Sequence, residues 1–480
     1  MYKNGTELDA AGRWFDGNLV RWVEGMMRPV GGWQQRTNTA LTGKARAILT
    51  WRDNSSNRHI AVGTHSKLYA ISQTSVITDI TPVGFAPGNA NATVGGGYGV
   101  GLYGREFYGV PRADVGSVTP ATTWTLDNWG EYLVGCSNYD GKIYEWQLNP
   151  ANPAAVVANA PTGNTAILVS NERALFALGA GGDPRLISWS DLENNTVWTP
   201  SSTNLAGSIE LQTGGEIIVA KRVRGQILVL TDIDAHVVSY VGQPFVYQSE
   251  YVGRACGIPG PNAIAVQDNF AVWMSTRGFF TYDGYIKPLP CEVSDYVFSD
   301  INQSQLSKVC AINNSQFNEV WWYYPSASSQ ENDRYVIWNY AENYWSTGTL
   351  ARSAGTDRGV FANPIFIGTD GYLYNHEIGV NHDGSTVFVE SGPVQIGNGD
   401  NVYYVNELIP DERNQGDVTA TFFSRYYPNS TERSYGPYSM TNPTSVRFNG
   451  RQINMRLTAS PNTDWRVGTM RLNAQPGGRR

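Results

Sequence analysis

Two carboxylates stand two residues apart in Asp232-Ile-Asp234. On a strand they would face one side, as the start of a metal site would require. No third ligand and no helping glycine follows, so the pair reads as a turn with an Asx cap. Ser137-Asn-Tyr-Asp-Gly-Lys-Ile-Tyr144 approaches the Asp-box pattern Ser-x-Asp-x-Gly-x-x-Trp, but Asp140 abuts Gly141 and the spacing is wrong. The glycine-rich run Val94–Gly101 lacks the Lys-Ser/Thr of a phosphate loop and the strand–helix setting of a dinucleotide site. No G-x-S-x-G elbow occurs. Five histidines are scattered without an H-E-x-x-H, and Cys136, Cys256, Cys291 and Cys310 form no C-x-x-C pair. Trp321-Trp-Tyr-Tyr324 offers faces for stacking sugars, although filling a core is the plainer use. The sequence therefore leads us to expect no catalytic, cofactor-binding or metal-ligating residue, no cofactor, and no enzyme activity.

The elements around these residues repeat. Asp283-Gly284 and Asp370-Gly371 are hairpin turn signals. An aromatic ends a short apolar strand at Tyr69, Tyr144, Trp189, Tyr240, Phe280, Trp338 and Tyr374, in steps of 75, 45, 51, 40, 58 and 36 residues. A second apolar strand precedes most of them: His59–Val62, Tyr132–Val134, Ile227–Leu230, Ala271–Trp273, Val320–Tyr323 and Ile365–Ile367. Each pair reads as a hairpin. Apart from the first step, the spacing brackets the roughly 40–50 residues of a β-propeller blade. The alternative is a set of unrelated hairpins in sandwiches. Seven anchors predict six or seven blades, since a terminal unit can share a blade with an N-terminal strand.

Composition agrees with an all-β fold. Of 480 residues, 12% are aromatic, 51 are glycine and only 16% are charged, which suits pleated surfaces and turns. The expected organisation is an N-terminal segment of strands and interface contacts (1–50), a propeller (51–379) with a glycine-rich loop insertion at 84–122, and a C-terminal antiparallel β-domain (380–480) ending in an exposed Arg-ended tail. One helix is expected where Val293, Tyr296, Val297 and Ile301 share a face, bridging two blades. Asp417–Phe422 and Gln452–Leu457 alternate as strands, and Trp465, Val467 and Leu472 suggest another. No apolar run reaches the roughly 18 residues of a membrane helix, and the first residues lack a signal peptide's apolar stretch.

Charge is uneven. Residues 1–50 hold seven Lys/Arg against four Asp/Glu, and residues 380–480 ten Arg against nine Asp/Glu, which leaves −11 on 51–379. A net charge of −7 gives no basic footprint for tight nucleic-acid binding. The acid serves either as a solvated surface or as a wall that must not hold a polyanion.

Two terminal segments are distinctive. One is Trp14-Phe-Asp-Gly-Asn-Leu-Val-Arg21-Trp-Val-Glu-Gly25 followed by Arg28-Pro-Val-Gly-Gly-Trp33. The other holds Val446-Arg-Phe-Asn-Gly-Arg451-Gln-Ile-Asn-Met-Arg-Leu457, Trp465-Arg-Val-Gly468 and Pro476-Gly-Gly-Arg-Arg480. With Leu68-Tyr69 and Asp79-Ile-Thr-Pro82, they resemble the tail hub or nozzle proteins of short-tailed bacteriophages, also called packaged-DNA stabilisation proteins. The correspondence is lost over 84–122. The resemblance implies a structural virion protein, assembled in the host cytoplasm and located in the virion tail. It implies a homohexameric ring below the portal and its adaptor (head-to-tail connector), with attachment points for tail fibres, spikes, or a needle or plug. Double-stranded DNA would pass through that ring without tight binding. It brings no active-site residues. The rival readings are a propeller that binds or cleaves glycans in receptor recognition, and a scaffold propeller outside any virus.

Overall fold

The computed structural model describes residues 1–94, 118–395, 399–428 and 430–478. Seven four-stranded antiparallel sheets follow one another along the chain. Blade 1 is Ala45–Arg52, Arg58–Thr64, Leu68–Ser72 and Ile77–Asp79; blade 2 is Trp124–Trp129, Tyr132–Ser137, Ile143–Trp146 and Ala155–Val156. Blade 3 is Ala166–Val169, Leu175–Leu178, Leu186–Trp189 and Gly207–Glu210; blade 4 is Ile217–Val223, Gln226–Thr231, Asp234–Gly242 and Val246–Arg254. Blade 5 is Ile264–Val266, Ala271–Met274, Phe279–Tyr282 and Ile286–Leu289; blade 6 is Cys310–Asn314, Glu319–Tyr324, Arg334–Asn339 and Tyr344–Thr349. Blade 7 takes Arg352–Thr356, Ile365–Gly368 and Leu373–His376, and its fourth strand is Trp33–Gln35, paired as Tyr374↔Gln35, Asn375↔Gln34 and His376↔Trp33. The first strand of each blade touches the first strand of the next, and that of blade 7 touches that of blade 1. The sheets therefore form a closed seven-bladed propeller. All seven aromatic anchors lie on third strands, one per blade.

Each blade is covered on both faces, so its strands must be apolar on both sides. In Glu319–Tyr324 every residue is buried. Val320, Trp322 and Tyr324 point into the core shared with blades 4 and 5, while Trp321 and Tyr323 point into the core beneath blade 7. This aromatic run is core rather than a sugar platform. The same division splits Ile227 and Val229 from Leu228 and Leu230. Truncating one of these tryptophans to alanine would cost about 3–5 kcal/mol.

The expected helix is short. Ser294–Ser299 is helical and Gln303–Lys308 is a 3-10 turn, because Asn302 interrupts: its side chain accepts from the Ser304 amide and donates to the Ser329 carbonyl. Val293, Val297 and Ile301 are buried, and the segment connects blades 5 and 6. The core of the insertion, residues 95–117, lies outside the described residues. Its feet are pinned: Thr93–Val94 pairs with Val118–Thr119, and the backbone of Ala92 is bonded in both directions to the Gln305 side chain.

The chain ends build a second body together. Its larger sheet runs Trp14–Asn18, Phe388–Ser391, Gln452–Ala459, Val418–Arg425, Arg433–Ser439, with Val394–Gln395 also on Gln452–Ala459. The smaller runs Thr444–Gly450, Tyr403–Ile409, Arg471–Pro476. Val418, Ala420 and Phe422 alternate inward, and Phe422 stacks on Phe448 with ring centres 4.6 Å apart. Two expectations need correction. Trp465 and Val467 belong to no strand, although both are buried; Val467 makes only isolated bridges to Met27 and Glu412, the Gly468 amide bonds the Asp411 carbonyl, and the strand that holds Leu472 begins at Arg471. The C-terminal tail is also bound further than expected, since Pro476 ends a strand and both Gly477 and Gly478 bond Val402. The final two arginines lie outside the described residues.

The strand that closes blade 7 enters through Gly31-Gly32, where the Gly32 amide donates to the Gly379 carbonyl at 2.9 Å. A Cβ on Gly32 would collide with the backbone O and N of Asn381, which cannot swing away as a side chain would. We expect Gly32→Ala to lower the unfolding free energy by about 1–3 kcal/mol, read as a lower urea midpoint. A variant as stable as the wild type would show that the closing strand does not need this close approach.

Candidate functional site: the buried arginine joining blades 6 and 7

The residues first weighed for chemistry sit in turns and cores. Asp232 accepts from the Glu216 amide, and Asp234 accepts from the Thr231 hydroxyl. The turn's cap is Thr231, whose oxygen accepts from the amides of Ile233 and Asp234, rather than an Asx cap. Asp140 and Asp370 occupy equivalent turns of blades 2 and 7, and each accepts from the hydroxyl of a tyrosine four residues on, Tyr144 and Tyr374. Among the described residues no three His, Cys, Asp or Glu side chains gather to hold a metal. All four thiols are free; burial raises Cys136, pushes Cys256 to about 11, and takes Cys291 and Cys310 to about 12. None is a thiolate near neutrality. Residues 95–101 of the Gly-rich run lie outside the described residues, and no described helix is long and apolar enough to cross a membrane.

The strongest constellation is one the sequence did not flag. Val20–Val23 and Met26–Pro29 form a hairpin beside blades 6 and 7, and Arg21 points inward from it. Its Nε and Nη2 donate to the two oxygens of Glu319 at 2.9 and 2.8 Å, and its Nη1 and Nη2 donate to those of Glu377 at 2.8 and 2.6 Å. The three side chains are 1%, 0% and 5% exposed. Glu319 opens the second strand of blade 6, and Glu377 directly follows the third strand of blade 7. The remaining acceptor capacity is used: the Trp321 indole donates to Glu319, while Asn314 and the Gly31 amide donate to Glu377. Phe317 lies under the guanidinium, 3.7 Å from ring centre to Cζ.

The electrostatics follow from one cation between two anions. Desolvation opposes the charge on Arg21, yet the two carboxylates raise its pKa. Burial raises Glu319 above its ordinary value, only partly offset by Arg21. A second polar joint lies alongside. Arg352 Nε donates to His376 Nε2 at 3.0 Å, so that nitrogen is an acceptor, and burial next to Arg352 holds His376 well below its ordinary value, hence neutral. Trp33 stacks on His376, and its indole donates to Asp383 at 2.5 Å. The hairpin is also tied to the C-terminal body, with Met27 and Val467 exchanging backbone hydrogen bonds of 3.0 and 3.1 Å. The arrangement positions no group for proton transfer or nucleophilic attack. It fastens two blades to a hairpin and to the second body.

The chain matches no family model. No curated protein is similar to it in sequence. Solved structures of similar shape include virginiamycin B lyase from Staphylococcus aureus, at TM-score 0.44 and 8% identity over 72% of this chain and 97% of that one. The WD40 β-propeller domain of Doa1 gives 0.41 and 11% over 72% and 97%, and PorZ of the Porphyromonas gingivalis type-IX secretion system 0.38 and 8% over 78% and 44%. The chain is a β-propeller protein. The likenesses concern that fold and carry nothing about activity.

Replacing Arg21 would leave two buried carboxylates without their cation, a loss of about 3–5 kcal/mol. We expect Arg21→Met to fall in stability by that order at pH 7. A carboxyl whose folded pKa is raised weighs against folding as pH climbs through that value. The deficit should therefore shrink as pH falls towards and below the ordinary carboxylate range. Urea titrations of both proteins at several pH values check this; a deficit that does not depend on pH would assign the loss to packing.

Proposed function

We propose that this propeller protein is the subunit of a tail nozzle, or hub, of a short-tailed bacteriophage: a structural ring component below the portal and adaptor that conducts DNA. The observation that carries the reading is where the resembling segments lie. Trp14–Trp33 and Val446–Gly478 are more than four hundred residues apart in sequence, yet they form one body, joined through the Met27–Val467 pairing and the shared core of Val20, Met27, Trp33, Phe448, Leu457 and Trp465. The two terminal segments thus pack against each other, while Leu68-Tyr69 and Asp79–Pro82, which also carry the resemblance, lie in and beside blade 1. A ring is built from heterologous contacts, one patch against a different patch on the neighbour. The long hairpin of blade 4 offers such a patch, with Tyr240, Val241 and Phe245 exposed at its tip.

In this reading the acidic balance of residues 51–379 keeps duplex DNA off the ring's wall. A basic wall would bind phosphates and slow passage, whereas repulsion fades over about 8 Å at physiological salt. Partners would be further copies of the chain, the adaptor, and fibre, spike or needle proteins, in the virion tail.

Native mass spectrometry and negative-stain imaging with purified adaptor test the proposal. The expected particle is a closed six-fold ring that retains no short duplex in a gel at about 50 mM salt. A strictly monomeric or two-fold dimeric particle would overturn it. A ring whose lumen is lined mainly by Lys and Arg would remove the acidic-wall component while leaving the ring.

A further inference from the structure

First strands of blades 1 and 4 to 7 line a cavity of about 130 Å³, open to solvent, along the propeller axis. Its wall includes Arg46 from blade 1, Lys221 from blade 4, Asn262 just before blade 5, Ala311 from blade 6, and Ala354 and Gly355 from blade 7. The charges in and around it do not cancel. Arg46 is 1% exposed and pairs through both terminal nitrogens with Glu331, at 2.7 Å each. Lys308, also buried, shares that carboxylate at 3.4 Å. Two cations thus divide one anion. Burial beside Arg46 lowers Lys308 to about 8, which leaves it mostly protonated at neutral pH.

The Lys221 side chain makes no hydrogen bond or ion pair with any described residue, although its backbone pairs with Leu228 in the sheet. The nearest candidate counter-ion is already engaged: Asp127 accepts from Arg222 at 2.7 and 3.1 Å and from the Val169 amide at 2.9 Å. Lys221 is half-buried, and the protein around it disfavours its charged form, which an anion beside it would restore. Water in the cavity would satisfy donors but would not cancel charge.

We propose that this axial cavity binds one small inorganic anion, with Lys221 as its main ligand. The space suits chloride, or one tetrahedral oxyanion such as phosphate or sulfate with water around it. The site is defined within one propeller and is independent of the ring proposal. It also differs from the lumen of a ring, which lies between subunits rather than within one propeller.

Equilibrium dialysis of the full chain with inorganic phosphate, sulfate and chloride tests the site and separates the three ions. Saturable binding of one anion per chain is expected for the wild type and for Lys221→Arg. Lys221→Met should bind about tenfold or more weakly, given the strength of a charge-assisted hydrogen bond. The bound ion should raise the wild-type thermal midpoint at fixed ionic strength and leave that of Lys221→Met unchanged. If Lys221→Met does not fold, wild-type stoichiometry and the thermal shift decide alone. No saturable binding up to about 10 mM of any of the three ions, far weaker than a useful site, would overturn the proposal. So would equal binding by wild type and Lys221→Met.

Discussion

A guanidinium held bidentately by two carboxylates is a rigid joint, because each planar fork fixes distance and orientation together. Arg21 makes two such pairs, one to blade 6 and one to blade 7. The blades of a propeller otherwise meet through apolar faces, which are strong but undirected. Arg21 adds direction where the ring is sealed by a strand from elsewhere in the chain. The same hairpin carries the backbone pairing to Val467, so the placement of the second body depends on it too. A buried pair of this kind is weak evidence for net stability but strong evidence for a specified geometry, since either anion left alone would be expensive.

The cores show how that geometry is kept. The clusters between blades 1 and 2, 2 and 3, 3 and 4, and 7 and 1 are separate, each filled by alternate residues of facing strands. The cluster through blades 4 to 6 takes in Met1, and the one beside blades 6 and 7 runs on into both chain ends. The polar joints occupy that continuous region: Arg21 with its carboxylates, then Trp33, His376 and Arg352. Directional contacts are concentrated where apolar packing alone would permit sliding.

Much of the propeller was legible because third strands end in aromatics next to turns with Asp, Gly or Thr. Tyr144 and Tyr374 explain why, as each hydroxyl clamps the aspartate that makes its own turn. First strands carried little signal. Ile264–Val266 is three residues long, and Arg352–Thr356 holds a serine, an alanine and a glycine, since strands near an axis must be slim. The joint at Arg21 was illegible for a different reason: its partners lie 298 and 356 positions away, and no local pattern distinguishes Glu319 or Glu377 from a surface acid. The position of Trp465 misled because a buried aromatic next to Val467 has strand composition, whereas Gly468 and Asp411 decide the backbone. Net acidity likewise said nothing of Lys221 and Arg46, because a sum over hundreds of residues hides two cations facing one cavity.

The sharing of blade 7 between distant parts of the chain sets a timetable for biosynthesis. Trp33–Gln35 leaves the ribosome early, but its partner Leu373–His376 follows more than three hundred residues later. At about 5–20 residues per second that interval is roughly 20–70 s. Throughout it the ring is open, with the first strand of blade 1 lacking its blade 7 neighbour and the closing strand lacking its edge. Unpaired edges of this kind recruit other chains. The closing strand is only three residues long, and both its glutamines are exposed, so it makes a poor template for a stranger. A crowded polysome is therefore the setting in which the brevity of this strand matters most.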